Sequence, residues 1–395
     1  MHNTILQDYT VNSKAKNWLI IPISCTLLSQ IPQILESGFS SVLQLAWIIP
    51  VLLLIHKRCF QYNEVFLFPI RVFIFLTLYS LLLYSITGGN YLDSPHLKNL
   101  VKSFFVFIIA YNCSFLFNIR DFQETLAKVC MIGAVVLSAT VFLNSFITYD
   151  LTSRVYAYEE KNSVSQIIFS CIVISLFFSG KRHVIQKIIG VGFYGFMVVV
   201  LLLLKSRATL LAFIILIAVI FYQRSKPDLR KAISVLLLGI FVTLLINNQL
   251  LDLLVNSILL AGRDANDLND ASSGRLNFIL AFPQLFSEAP FFGNGYIFSE
   301  SFPLSVLLDY GTFGAFPVFI LVLWPLVFIL KNGNRYDPLD IVIVILLLSY
   351  LFNSIFEEQA PIGPGSKNFL LWALLGVKLS FYQKSWFFLN YLQPI

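Results

Sequence analysis

KIIGVGFYGFMVVVLLLLKSRATLLAFIILIAVIFYQ, residues 187–223, decides the class of fold. Across these 37 residues the one sustained polar break is Lys205-Ser206-Arg207. Each flank approaches the roughly 20 apolar residues that carry a helix across the hydrocarbon of a bilayer. The flanks are apolar all round and do not alternate. They therefore read as helices and not as strands of a membrane barrel, which run about 10 residues with a period of two. The stretch is a helical hairpin in a membrane, with a cationic tip.

The rest of the chain is of the same kind. Of its 395 residues 57% are hydrophobic, 12% are charged and 39 are phenylalanine, and the mean hydropathy is +0.79. Charged residues are about half as frequent as in an ordinary globular domain. A soluble core of this size cannot hide so much apolar surface, so a disordered protein, a soluble enzyme and a disulfide-stapled secreted module are excluded. Spans are expected at 18–35, 39–56, 66–87, 100–117, 123–147, 164–179, 186–204, 208–223, 232–247, 315–330, 339–356 and 367–382, which makes 12. The polar leader ahead of the first span lacks a small-residue cleavage site, so no cleavable signal peptide is expected. The expected fold is an all-α polytopic membrane protein of about 12 transmembrane helices. It forms a single integral membrane domain, 1–395, with a long outer loop at 248–314 between the ninth and tenth helices that carries short interfacial helices.

Lysine and arginine set the orientation. With the N-terminus in the cytoplasm and the spans alternating, 17 of the cations fall inside and nine outside, while seven acids fall inside and 14 outside. The net charge of +6 is thus an orientation signal and not a nucleic-acid surface. Cys25, Cys113, Cys130 and Cys171 lie within expected spans and Cys59 in an inner loop, so no outer-face disulfide is expected.

Most of the polar residues outside the short inner loops lie on the outer face, and a loop as long as 248–314 is usually functional. Two adjacent cations at the tip of a hairpin, Lys205 and Arg207, either reach up to water or present donors to phosphate oxygens. Arg275 follows Ser272-Ser273-Gly274, a plausible helix start. A cation is poorly placed there against the helix dipole, unless an anion bound at the same end offsets it. Arg154 and Arg263 are further anion contacts or local partners of Glu159 and Asp264. Glu300 is a helix cap or a general base. Asp309, close to the start of an apolar helix, is a dipole contact or a site residue. Glu159-Glu160 and Glu357-Glu358 read as solvated loop residues. Tyr296 is a sugar platform or a member of an interfacial aromatic belt. Gly293 and Gly295 bracket a turn where backbone can approach a ligand. His96 is the one histidine on the outer side. No HExxH, CxxC, P-loop, GxGxxG or GxSxG occurs, so neither a metal site nor a cofactor is expected.

Four motifs in order resemble those of the bacterial O-antigen polymerase and O-antigen ligase superfamily. They are Lys205-Ser206-Arg207-Ala208 opening a span, Ser273-Gly274-Arg275 before an apolar stretch, Pro290-x-x-Gly293-x-Gly295, and Leu304-x-x-Leu307-x-Asp309-x-Gly311-x-x-Gly314. The resemblance covers roughly 187–330 at motif level. It implies a membrane glycosyltransferase of the bacterial inner membrane, with both termini cytoplasmic and its active face periplasmic. The implied substrates are undecaprenyl-diphosphate-linked oligosaccharides as donor and acceptor, taken from the lipid bilayer. Arg207 and Arg275 would hold the donor diphosphate, with Glu300 the candidate base and Lys205, Arg154, Arg263, Tyr296, Asp309 and His96 as further substrate contacts. Ligases of the superfamily typically carry His-Asn eleven residues before the glycine matching Gly311, where this chain has Glu300-Ser301. That favours an O-antigen polymerase, inverting and metal-independent. It leaves open a ligase that transfers polymer to lipid A core, a lipid-linked oligosaccharide flippase, and a chain-length regulator as partner. No nucleic acid is expected.

Overall fold

A computed structural model describes residues 14–57, 67–146, 158, 160–180, 184–222, 275–334, 336–358 and 365–391, with single positions between 231 and 270. Among the described residues there are helices and turns and no strand. In chain order the helices are α1 Asn17–Leu28, α2 Pro32–Glu36, α3 Phe39–Gln44, α4 Ile48–His56, α5 Leu67–Thr87, α6 Pro95–Ser114 and α7 Ile119–Ser145. They continue with α8 Lys161–Phe178, α9 Val184–Leu203, α10 Arg207–Tyr222, α11 Arg275–Glu288, α12 Phe302–Asn332, α13 Pro338–Asn353 and α14 Gly365–Tyr391.

Among the described residues five helices are long and apolar enough to cross a membrane: Phe39–His56, Leu67–Thr87, Ile119–Ser145, Lys161–Phe178 and Phe302–Asn332. Asn17–Leu28, Ile189–Leu203, Arg207–Phe221 and Pro338–Asn353 are shorter apolar helices. The span expected at 232–247 lies largely outside the described residues, as does Arg154.

Two expected spans differ in outline. The helix expected over 18–35 breaks after Leu28, because Pro32 has no N–H to continue the ladder and its ring holds Ile31 extended, with ψ 131°. Ahead of the span expected at 315–330, a helix already starts at Phe302. A kink at Gly311 separates it from the helix that follows, with φ of 61° and ψ of −172° open only to glycine.

α8 is the centre of the bundle, with 83% of its most apolar window buried against 28% for α5 and 17% for Phe39–His56. The two peripheral segments instead turn Leu52, Ile55, Leu78, Leu82 and Ile86 outward, an apolar exposure that suits hydrocarbon and not water. α6 and α14 lie closest together, since a Cβ on Gly376 would collide with the Phe107 carbonyl, the close approach that small residues permit between membrane helices.

The N-terminal ends of α8, α10, α11 and α12 and the C-terminal end of α13 meet at one end of the bundle. Ser206 Oγ donates to Asn162 Oδ1 at 3.1 Å, Arg275 Nη2 to the Phe356 carbonyl at 3.2 Å, and the Phe302 amide to the Ser354 carbonyl at 2.9 Å. The opposite end is closed by ions. There Lys378 Nζ, its side chain 11% exposed, lies 3.1 Å from Asp337 Oδ2 and 2.7 Å from Asp340 Oδ1.

Candidate functional site

The gathered helix ends enclose a cleft of about 690 Å³. Its polar wall is Lys161 and Asn162 of α8, Lys205 and Arg207 of the α9–α10 turn, Arg275 of α11, and Glu300 and Glu357. Leu211, Phe278, Ile279 and Phe298 form an apolar wall, of which Ile279 and Phe298 are more than half exposed. The cleft is therefore shaped for an amphiphile with an anionic head.

The cationic turn is built with strain. Lys205 has φ 52° and is the one non-glycine residue at positive φ among those described, an arrangement that costs on the order of 1–3 kcal/mol and collects at functional sites. Ser206 accepts the backbone of Leu210 through its carbonyl at 3.1 Å, and its hydroxyl meets Thr209 Oγ1 at 3.0 Å. Thr209 in turn meets Ser165 of α8 at 2.8 Å. These contacts start α10 at Arg207 and pin the turn to α8.

Lys161, Arg207 and Arg275 are each the first residue of a helix. Each is a cation where the macrodipole opposes one, and the three share one cleft. Lys161 also lies within electrostatic reach of Arg263, Arg207, Arg275 and Glu357. Arg275 Nε is 2.6 Å from Glu300 Oε2, with side chains 23% and 45% exposed. Its guanidinium carbon stands 5.7 Å from the centre of the Phe356 ring. Glu300 is thus an ion-pair partner and not the helix cap, which is Ser301.

Asp309, His96 and Tyr296 do not line the cleft and belong to a second cluster around Glu358. Asp309, fully buried, accepts from Ser94 Oγ at 2.8 Å and from the Ile297 amide at 3.0 Å. It sits just before the kink at Gly311 that joins two helices. His96 Nε2 meets Ser305 Oγ at 2.9 Å, and Ser305 Oγ donates to Glu358 Oε1 at 3.3 Å. His96 precedes the span expected at 100–117, and burial drives its imidazole down to about 3, so it is neutral. Burial, then the Glu358 carboxylate, pushes the Tyr296 phenol up. Glu358 is 7% exposed, and Glu357 lines the cleft. The expectation of two solvated loop acids is overturned, because the chain after α13 folds back under α11 and α12.

The glycine motifs serve this second cluster. A side chain at Gly293 would collide with the backbone of Asp309 and Gly311, and one at Gly311 with that of Phe291 and Phe292. Asn294 donates to the Leu308 carbonyl at 2.7 Å and Thr312 to the Pro290 carbonyl at 2.9 Å. The close approach expected of Gly293 is therefore to backbone and not to a ligand.

Lys161, Asn162 and Glu357 were not singled out from the sequence. Lys161 carries the signal that marked Arg207 and Arg275, a cation opening a helix. Glu357 carries none, since only the fold brings it to Lys161.

Residues 192–314 match the family model described as O-antigen ligase. The match covers the part of the chain that carries motifs similar to those of the O-antigen ligase/polymerase superfamily. No curated protein matches the chain. The superfamily match spans Lys205, Arg207, Arg263, Arg275, Glu300 and the interlocked glycines, while Lys161 and Glu357 lie outside it. The family match and the apolar helices together suggest a membrane protein, and the match suggests a glycosyltransferase-like activity.

Proposed function

We propose that the protein is an O-antigen or related surface-polysaccharide polymerase. It joins undecaprenyl-diphosphate-linked oligosaccharide repeat units at the periplasmic face of the bacterial inner membrane, through about 12 spans with both termini in the cytoplasm. One observation carries this reading: Arg207 and Arg275, first residues of helices far apart in sequence, line a single cleft with Glu300. Two guanidinium forks and several helix N-termini at a site with an apolar wall suit a lipid diphosphate.

In the proposed reaction Arg207 and Arg275 hold the diphosphate of the donor, and the prenyl chain follows the apolar wall toward lipid. An acceptor sugar hydroxyl attacks the anomeric carbon from the opposite side. The bond to the diphosphate oxygen breaks with its electron pair, and the acceptor proton passes to a carboxylate, with Glu300 the candidate. Attack opposite the leaving group inverts the anomeric centre. Fixed cations in a partly dry site supply the charge stabilisation that a divalent ion supplies in other transferases, so the reaction is proposed as metal-independent.

A ligase is the second reading, favoured by the description of the matched family model; Glu300-Ser301 in place of His-Asn favours the polymerase. The test is to incubate the purified protein in nanodiscs with a defined lipid-linked repeat unit. A ladder of products one repeat apart supports polymerisation. Transfer only when lipid A core is added identifies a ligase, and movement of the unit across the bilayer with no new bond identifies a flippase.

A further inference from the structure

Glu300 stands on the leaving-group side of the cleft. Its Oε2 lies 2.6 Å from Nε of Arg275, one of the two guanidiniums that hold the donor diphosphate in the proposed reaction. Inversion requires the attacking hydroxyl and the departing oxygen to lie on opposite faces of the sugar. In inverting glycoside hydrolases the two carboxyl groups that serve those faces stand about 6.5–9.5 Å apart, which leaves room for the nucleophile. A carboxylate in contact with the diphosphate clamp is too near the departing oxygen to meet a hydroxyl that attacks from the far face.

The contact instead aims the guanidinium. Glu300 flanks its Nε edge, one Nη2 hydrogen goes to the Phe356 carbonyl at 3.2 Å, and its central carbon stands 5.7 Å from the centre of the Phe356 ring. A guanidinium carries its donors in a rigid planar fork, so restraints on one edge and one face fix the direction of the rest. The Nη1 group and the second Nη2 hydrogen are then the donors offered to a phosphate. The backbone that carries Glu300 is itself held. The Ser301 amide donates to Oγ of the buried Ser299 at 3.1 Å, and the Phe302 amide donates to the Ser354 carbonyl at 2.9 Å. A carboxylate on a backbone pinned in this way suits a fixed support for another side chain.

We propose that Glu300 is a positioning residue: it holds the Arg275 fork toward the departing diphosphate and does not take the acceptor proton. The inference rests on the glycosyl-transfer reading of the cleft and reassigns one role within it. As the anomeric carbon–oxygen bond breaks, its electron pair goes to the diphosphate oxygen on the Arg275 side. The proton of the acceptor hydroxyl passes to a group across the anomeric carbon. Misplacing a charge-stabilising donor by about 1 Å is enough to lose much of its effect on the barrier, so the support matters to the rate although the pair adds little to stability.

The test compares Glu300→Ala and Glu300→Gln in the full chain in nanodiscs, by ladder formation from a defined lipid-linked repeat unit across a pH series. Glutamine keeps an acceptor oxygen for Arg275 and cannot serve as a general base. Glu300→Ala is expected to lose at least tenfold in kcat/KM and Glu300→Gln less than fivefold, with the shape of the pH profile unchanged. On an Arg275→Gln background Glu300→Gln should add less than threefold, because the residue acts through the arginine. Loss of a general base instead costs roughly 10²–10⁴-fold, in both variants and on both backgrounds. A glutamine variant that loses fivefold or more, a changed pH profile, a larger added loss on the Arg275→Gln background, or an alanine variant that loses less than tenfold overturns the proposal. Binding of geranylgeranyl diphosphate tests the cleft separately. If Arg207→Gln and Arg275→Gln weaken it at least tenfold while Glu300 fails the kinetic test, the role of Glu300 falls and the reading of the cleft stands. If neither arginine variant weakens it, the cleft is not a diphosphate site and the proposal falls with that reading.

Discussion

Removing the guanidinium of Arg275 should abolish polymer formation while leaving the fold in place. Its ion pair with Glu300 joins side chains 23% and 45% exposed, and solvent-screened pairs of that kind contribute about 1 kcal/mol or less. The donation to the Phe356 carbonyl at 3.2 Å adds about 1 kcal/mol. A loss of about 2 kcal/mol lowers the thermal midpoint of a domain this size by only several degrees. The effect on transfer is larger. A bidentate guanidinium–phosphate contact comprises two charge-assisted hydrogen bonds of roughly 1.5–3 kcal/mol each. If half to most of that develops as the leaving group gains charge, the barrier rises by about 3–4 kcal/mol, or 10²–10³-fold in rate. Arg275→Ala should lose that much in kcat/KM, and Arg275→Lys, which keeps the charge and gives up the fork, about 10–100-fold. The assay is ladder formation from a synthetic lipid-linked repeat unit, on variants whose insertion and melting are checked first. An alanine variant that polymerises within threefold of the parent protein would refute the clamp.

The interlocked glycines give a stability prediction. Gly311→Ala, at φ 61° and against the Phe291 and Phe292 backbone, should destabilise by about 3 kcal/mol or more. By contrast Gly192→Ala, in open space on α9, should be neutral or slightly stabilising, as read by thermal melting in detergent. His96 predicts a pH dependence. Its folded value near 3 lies below the ordinary 6.5, so the unfolded chain binds a proton that the folded one refuses, and stability falls as pH drops below about 6.5. Between pH 7 and 5 that group should cost about 2 kcal/mol, a slope that His96→Asn should remove. Lys378→Met leaves Asp340, 3% exposed, buried without its cation. It should destabilise by about 3–5 kcal/mol with less effect on KM, since the pair lies at the end of the bundle away from the cleft.

Some of the site could be read without the fold, and the line is a physical one. A cation opening a helix is a local pattern: Arg207 and Arg275 stand out because the helix dipole argues against them, and both do begin helices that face one cleft. Lys161 obeys the same rule, opening a helix directly after Glu159-Glu160. Glu358 could not be read, since a carboxylate just past a span looks solvated until Ser305, 53 residues away in sequence, is found beside it. Glycine-rich motifs gave the right conformation and the wrong neighbour. Gly293 does take φ 77°, but what approaches it is the backbone of Asp309 and Gly311.

Composition and apolar runs by themselves determined that this chain is a bundle of membrane helices, because hydrocarbon leaves the backbone few ways to satisfy its polar groups. Lysine and arginine counts set the expected orientation. Tertiary structure alone decided which charges act together. Arg275 reaches Phe356 across 81 residues, and His96 reaches Ser305 across 209. Contacts of that span depend on how helix ends pack, and no local pattern along the chain encodes them.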